Sequence, residues 1–176
     1  MMTDDTCAGT NEIHKCELVS FYRERVEYLE VLVRKYKFDF LTGLMGKRDY
    51  TNRIDMLFED FKFSNKEFYF GLIDIDDLHN VNRKKGYHEG DNLIKRISSK
   101  LESFFQFHHI YRIGGDEFAI LVRGYHSTID DIIGSLNTIE QITFVVESSE
   151  GYDSPKHMHK TLDVKLSAKK NSQDRI

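Results

Sequence analysis

The chain of 176 residues has no tryptophan, one proline and two cysteines. With Pro155 as the sole proline, few places force the backbone out of regular structure. Cys7 and Cys16 form no CxxC or Cys/His framework. That fits a reducing compartment and argues against a secreted disulfide scaffold. No run of 18 or more apolar residues occurs, so no membrane span is expected. The first fifteen residues carry Asp4, Asp5 and Glu12 and lack an apolar core, so no signal peptide is expected and the cytoplasm is the default location. An excess of basic charge is missing too: 25 Lys+Arg against 29 Asp+Glu leaves a net charge of −4. Nonspecific nucleic-acid binding needs a cationic face to neutralise phosphates, so no nucleic-acid partner is expected. What is present, 40% hydrophobic and 31% charged residues, is the composition of a globular chain. Its length suits one domain of ordinary size with a short appendage, large enough to fold without staples.

Along the chain, residues 1–10 are small and polar, a disordered N-terminus by composition. Residues 11–36 read as an amphipathic stalk helix. In it Val19, Tyr22, Val26, Leu29, Val33 and Tyr36 are spaced 3, 4, 3, 4, 3, the a/d repeat of a coiled coil sustained for about two and a half heptads. Full burial of each would contribute roughly 1.5–3 kcal/mol, against the cost of ordering a short helix. Pairing with a second copy and packing on its own domain are equally open readings. The domain itself runs from 37 to 176. Its elements are a helix over 46–61, a buried strand over 67–76, a helix over 89–105, a hairpin over 110–122, a helix over 128–137, a strand over 141–146 and a helix over 154–170 opened by Ser154-Pro155.

The chemistry gathers at two of these elements. The strand EFYFGLIDID ends in Asp74 and Asp76. The hairpin carries Asp116 and Glu117 directly after Gly114-Gly115, a pair expected to take positive φ in a tight turn and to let backbone N–H groups approach an anionic ligand. A strand–helix–hairpin order sets the first strand beside the hairpin, so Asp74 and Asp116 converge at one edge of a sheet. Clustered carboxylates repel unless a cation neutralises them. Hard oxygen ligands suit Mg²⁺ or Mn²⁺ with a phosphate substrate, the arrangement of phosphoryl and nucleotidyl transfer. Taken alone, Gly-Gly-Asp is turn chemistry more often than not. Asp74 and the segment after it weigh against that plain reading.

Three ordered motifs then make the chain resemble the GGDEF domain family, the diguanylate cyclases. Gly114-Gly115-Asp116-Glu117-Phe118, preceded by Arg112, reproduces the signature. Asp39-Phe40-Leu41-Thr42-Gly43-Leu44 matches the entry motif DxLTGL. Asp74-Ile75-Asp76, Asn82 and Gly90-Asp91 match the DID…N…GD segment. The resemblance runs from about residue 37 to the end. It implies an α+β, palm-like fold of the ferredoxin and adenylyl-cyclase kind, a central antiparallel sheet flanked by helices and preceded by the stalk helix. It implies condensation of two GTP into cyclic di-GMP with release of two pyrophosphates, across a homodimer that the 19–36 helix could join. On this pattern Asp74, Asp116 and Glu117 are catalytic, and the Mg²⁺ or Mn²⁺ ligands are Asp74, Asp116, Glu117 and the Ile75 carbonyl. Asn82 and Asp91 read guanine, a carboxylate accepting from N–H groups that adenine lacks. Leu78, His79, Gly115 and Lys169 lie along the phosphates.

The chain departs from the pattern in places. His79 stands where the family has lysine, a titratable cation in place of a fixed one. Tyr87 replaces histidine after Gly86, and Gln173 replaces the arginine of the closing motif, with Arg175 two residues on. Residues 105–108, Phe-Gln-Phe-His, lack both charges of the RxxD motif, so no product-inhibition site is expected. A module that binds GTP or a partner without turnover is the alternative reading. A mixed GMP–AMP product ranks behind both because Asp91 suits guanine. His108 and His109, adjacent on a strand, face opposite sides and do not read as a metal pair, and His157 and His159 diverge on a helix and read as solvated surface. Arg83-Lys84-Lys85 reads as a solvated run with a minor chance of steering GTP.

Overall fold

The computed structural model describes residues 7–106, 109–124 and 126–173. In chain order its elements are α1 (Cys7–Lys37), β1 (Met45–Gly46), α2 (Lys47–Ser64), β2 (Phe68–Ile75), α3 (Leu78–Lys85), α4 (Tyr87–Phe104), β3 (Ile110–Arg112), β4 (Glu117–Arg123), α5 (Ile129–Asn137), β5 (Ile142–Ser148) and α6 (Pro155–Gln173). The chain divides into two units, Met1–Tyr36 and Lys37–Ile176.

In the first unit, α1 begins at Cys7, so residues 7–10 are helical where a disordered terminus was expected. Residues 1–6 of that expectation lie outside the described residues. The six a/d positions from Val19 to Tyr36 are exposed in the single chain, Leu29 least at 46%.

In the second unit, five strands form one sheet in the order β1-β3-β4-β2-β5. β2 lies between β4 and β5 and is antiparallel to both. β3 and β4 form the expected hairpin. The sheet is mixed and not wholly antiparallel, because the two-residue β1 runs parallel to β3. The period of two along β2 divides the core between the faces. Phe68, Phe70 and Leu72 join residues of α2 and α6, among them Ile54, Phe58, Met158, Leu162 and Leu166. Ile73 and Ile75 join residues of α3, α4 and α5, among them Leu78, Leu93, Ile97, Leu101, Ile132 and Leu136. Gly71 interrupts the second face because the Ile120 side chain fills its place; a Cβ there would lie 2.5 Å from Ile120 Cγ1.

Two elements were not anticipated. β1 has only two residues, too few for a periodic signal. α3 is a short polar helix whose N-cap, Asp77, is left-handed (φ 58°) and makes no side-chain cap hydrogen bond. Asp77 is a residue type common at N-caps, but here it makes no cap hydrogen bond, and a single buried residue, Leu78, follows it in place of an apolar stripe.

Candidate active site

Asp74 sits at the C-terminal end of β2, opposite Glu117 in the β2–β4 ladder. The Ile75 amide donates to the Asp116 carbonyl at 2.9 Å, fastening the end of β2 to the hairpin turn. Asp74, Ile75, Asp116 and Glu117 thus meet at one end of the sheet. Asp74 is buried, 8% exposed, while Asp116 and Glu117 are half-buried. As an even-numbered residue of β2, Asp74 shares the sheet face of Phe70 and Leu72, the face covered by α2 and α6.

Burial pushes the Asp74 carboxyl above its ordinary value. The Lys170 ammonium opposes this, and the charges of Asp116 and then Glu117 reinforce it. Lys170, in the last turn of α6, donates to Asp74 Oδ1. Sequence reasoning missed this lysine. Its signal was the series Met158, Leu162, Leu166, whose three members are buried at four-residue spacing. Lys170 continues that series, a charged residue where the core stripe calls for an apolar one.

Lys169, the expected phosphate ligand, is turned elsewhere. Its ammonium donates to the Phe144 carbonyl at 2.9 Å and lies 4.3 Å from the centre of the Phe144 ring. One helical residue, a 100° step, separates the two lysines and sends them to different strands.

The hairpin turn departs from expectation in its backbone. Neither Gly114 nor Gly115 has positive φ. At Gly114 the requirement is space: a Cβ would stand 2.4 Å from Glu117 Oε2 and 3.1 Å from Glu117 Cβ, because the Glu117 side chain folds over that residue. Gly115 is exposed and a Cβ there would meet nothing within 4 Å.

Arg112 clamps the turn. Its Nη2 donates to the Gly115 carbonyl at 2.7 Å and its Nη1 to Asp39 Oδ1 at 3.0 Å. Asp39 Oδ1 also accepts from the Thr42 amide and hydroxyl at 2.9 and 2.8 Å. The Gly43 amide closes the loop onto the Asp39 carbonyl at φ 74°, a conformation that glycine adopts without strain. Burial disfavours the Asp39 charge, but the Thr42 and Arg112 hydrogen bonds outweigh it and hold the carboxyl below its ordinary value. The Asp39 and Gly114-Gly115 motifs, over seventy residues apart in sequence, are thus one hydrogen-bonded unit.

Asn82 on α3 and Asp91 on α4 flank Gly90. A Cβ at Gly90 would lie 1.9 Å from Asn82 Oδ1, so only glycine leaves room for that amide. Asn82 Oδ1 is buried and has no hydrogen-bond partner. A buried acceptor left open at a half-buried residue suits a ligand N–H. Leu78 turns its side chain into the core, leaving only its main chain for a ligand. His79 is exposed on α3.

Among the described residues, no three His, Cys, Asp or Glu side chains stand close enough together to hold a metal ion. The donor set nevertheless fits one. Asp74, Asp116, Glu117 and a main-chain carbonyl are hard oxygen ligands, and the Lys170 ammonium is a stand-in cation already seated on Asp74. Of residues 105–108, which stand where the family has RxxD, Phe107 and His108 lie outside the described residues; Phe105 is in the core. Arg175 is likewise outside them. His109 is buried, with its ring 5.7 Å from that of His126.

The family described as "Diguanylate cyclase, GGDEF domain" matches residues 36–172. The uncharacterized protein YhcK of Bacillus subtilis is 34% identical over 99 residues, 52% of this chain and 27% of that protein. The diguanylate cyclase DgcZ of Escherichia coli is 32% identical over 108 residues, 60% of this chain and 36% of that protein. The chain thus spans only about a third of the curated relatives it matches. In fold it is similar to the coiled coil and GGDEF domain of DgcB from Caulobacter crescentus in complex with c-di-GMP, with TM-score 0.83 at 17% identity over 93% of this chain and 95% of that one. No described helix is long and apolar enough to cross a membrane.

Proposed function

Because the chain belongs to the GGDEF domain family of diguanylate cyclases, we propose that it condenses two GTP into cyclic di-GMP, each protomer of a homodimer holding one nucleotide. The observation that carries this reading is the junction of β2 with the hairpin, where Asp74 lies opposite Glu117 and beside Asp116. Asp74, Asp116, Glu117 and the Ile75 carbonyl would hold Mg²⁺ or Mn²⁺. When bound, such an ion neutralises the triphosphate and favours ionisation of the attacking 3′-hydroxyl. Glu117 stands at the turn, where it can take up that proton. Asn82 Oδ1 accepts a guanine N–H in place of the partner it lacks. Asp91 takes another from the same edge, which adenine cannot supply. Gly115, where a side chain would meet nothing in the protein, and the main chain at Leu78 and His79 let the phosphates approach the backbone. Lys169 would have to leave the Phe144 carbonyl to contribute. The a/d face of α1 joins the two copies.

The test is direct. Purified protein with Mg²⁺ and GTP should yield cyclic di-GMP by mass spectrometry, and Asp116→Asn should abolish it. No product from demonstrably dimeric protein would reject the reading. One observation favours the second reading, a module that binds nucleotide without turnover: the adjacent lysines near the end of α6 are engaged by protein acceptors, Lys169 by Phe144 and Lys170 by Asp74. Nucleotide binding without pyrophosphate release would select it.

A further inference from the structure

Lys170 sits on Asp74, the buried carboxylate of the proposed metal site. Asp74 is the buried acid of the group, and its Oδ1 receives the lysine ammonium. The contact is built into the fold. Lys170 follows Met158, Leu162 and Leu166 on the core-facing stripe of α6, and Asp74 lies on the sheet face that α6 covers. The Lys170 side chain is 37% exposed and that of Asp74 11%, so the lysine closes the solvent side of the pair. The neighbouring Lys169 is held on β5 by the Phe144 carbonyl and ring, which leaves Lys170 to neutralise the end of β2.

Two cations cannot sit on one carboxylate oxygen without repelling each other, and in a partly buried setting that repulsion is only partly screened. We propose that Lys170 is a resident counter-ion that competes with the divalent cation for Asp74, so that the metal binds only as the ammonium gives way. The inference rests on the cyclase reading for the kind of ion that arrives. It adds that this chain sets its metal affinity through a residue that is not itself a metal ligand. Lys170 is in these terms a positioning residue: it acts on the cation through Asp74.

The experiment is a Mn²⁺ titration of the full chain without nucleotide, following free Mn²⁺ by electron paramagnetic resonance. Lys170→Met keeps the aliphatic stem on the α6 stripe and removes the charge; circular dichroism checks its fold. It should bind Mn²⁺ roughly tenfold more tightly than the unaltered chain, the effect of removing one close like charge. Lys170→Arg should restore the weaker binding, and Asp74→Asn should remove the site in both backgrounds. Equal or weaker Mn²⁺ binding by Lys170→Met would overturn the proposal while leaving the cyclase reading intact. Tighter binding without any product from GTP would uphold the competition and reject the cyclase reading. Failure of both proteins to bind Mn²⁺ would overturn the proposal, while product from GTP decides the cyclase reading separately. Thermal unfolding gives a second measure: Mn²⁺ should raise the midpoint more in Lys170→Met than in the unaltered chain.

Discussion

Gly114 and Gly115 stand side by side in the hairpin turn and answer to different neighbours. A methyl group at 114 displaces Glu117, whereas one at 115 meets nothing in the protein. Gly114→Ala should therefore lower turnover by at least about tenfold, since misplacing a reacting group by a fraction of its reach has large kinetic effects. Gly115→Ala should leave the unfolding midpoint unchanged and act only through nucleotide binding. Steady-state kinetics beside thermal melts separate the two. The acids divide in the same way. Asp74 is raised by burial, so its charge disfavours the folded state at neutral pH, and that penalty vanishes as the pH falls below its unfolded value. Asp74→Asn should raise the metal-free midpoint at pH 7 while abolishing turnover, with the difference closing in acid. Asp39 is lowered, so its contribution is present above its unfolded value and lost as the pH falls through its folded one. Asp39→Ala should cost roughly 1–3 kcal/mol at pH 7, the penalty of unpairing Arg112 and Thr42, and progressively less toward pH 3. Midpoints measured across that range decide both signs. At this scale the acids were legible because a buried strand ending in carboxylates has no structural reason to do so. Lys170 was not, because two adjacent lysines in a last turn read as a solvated end until the phase of α6 is known.

The elements around Asn82 and Asp91 show where pattern stops being informative. β2 follows from its continuous apolar run and α4 from its apolar period, and α5 begins at Thr128, which forms a reciprocal capping box with Asp131. α3 carries Asn82 yet has one buried residue, Leu78, so no stripe announces it. Its position comes from α4 instead, through the gap at Gly90. That gap is a trade between helix stability and the site. Alanine in a helix interior is favoured over glycine by about 1 kcal/mol, but at 90 its Cβ would expel Asn82. Gly90→Ala should leave the unfolding midpoint within a few degrees of the original while weakening nucleotide affinity by about tenfold, the value of one ligand hydrogen bond. Isothermal titration with a non-hydrolysable GTP analogue beside a thermal melt tests this. An unchanged affinity would mean that Asn82 does not read the base.

For the molecule as a whole, the chemistry and the symmetry impose one demand. On the proposed cyclase reading, each protomer has one set of Asp74, Asp116 and Glu117, and a cyclic dinucleotide needs two phosphodiester bonds closed from two nucleotides, so that reading requires two copies to face each other. The first unit supplies a means. Val19, Tyr22, Val26, Leu29, Val33 and Tyr36 are exposed on a single heptad seam, and an exposed apolar stripe of that kind marks an interaction surface. Burying it between two copies would favour association, but a seam of about two and a half heptads is near the lower limit for independent pairing. The dimer should therefore be of moderate affinity, and turnover per protomer should rise with protein concentration and then level off. Val26→Lys with Leu29→Lys places like charges at adjacent seam positions and should shift sedimentation velocity to the monomer. Nucleotide binding by the second unit should be retained, because none of its described site residues lies on α1. Turnover at low protein concentration should fall in proportion to the lost dimer and recover as the concentration is raised. A doubly substituted chain that stays dimeric and fully active would mean that the two copies meet through a surface of the second unit, with the stripe on α1 free for another partner.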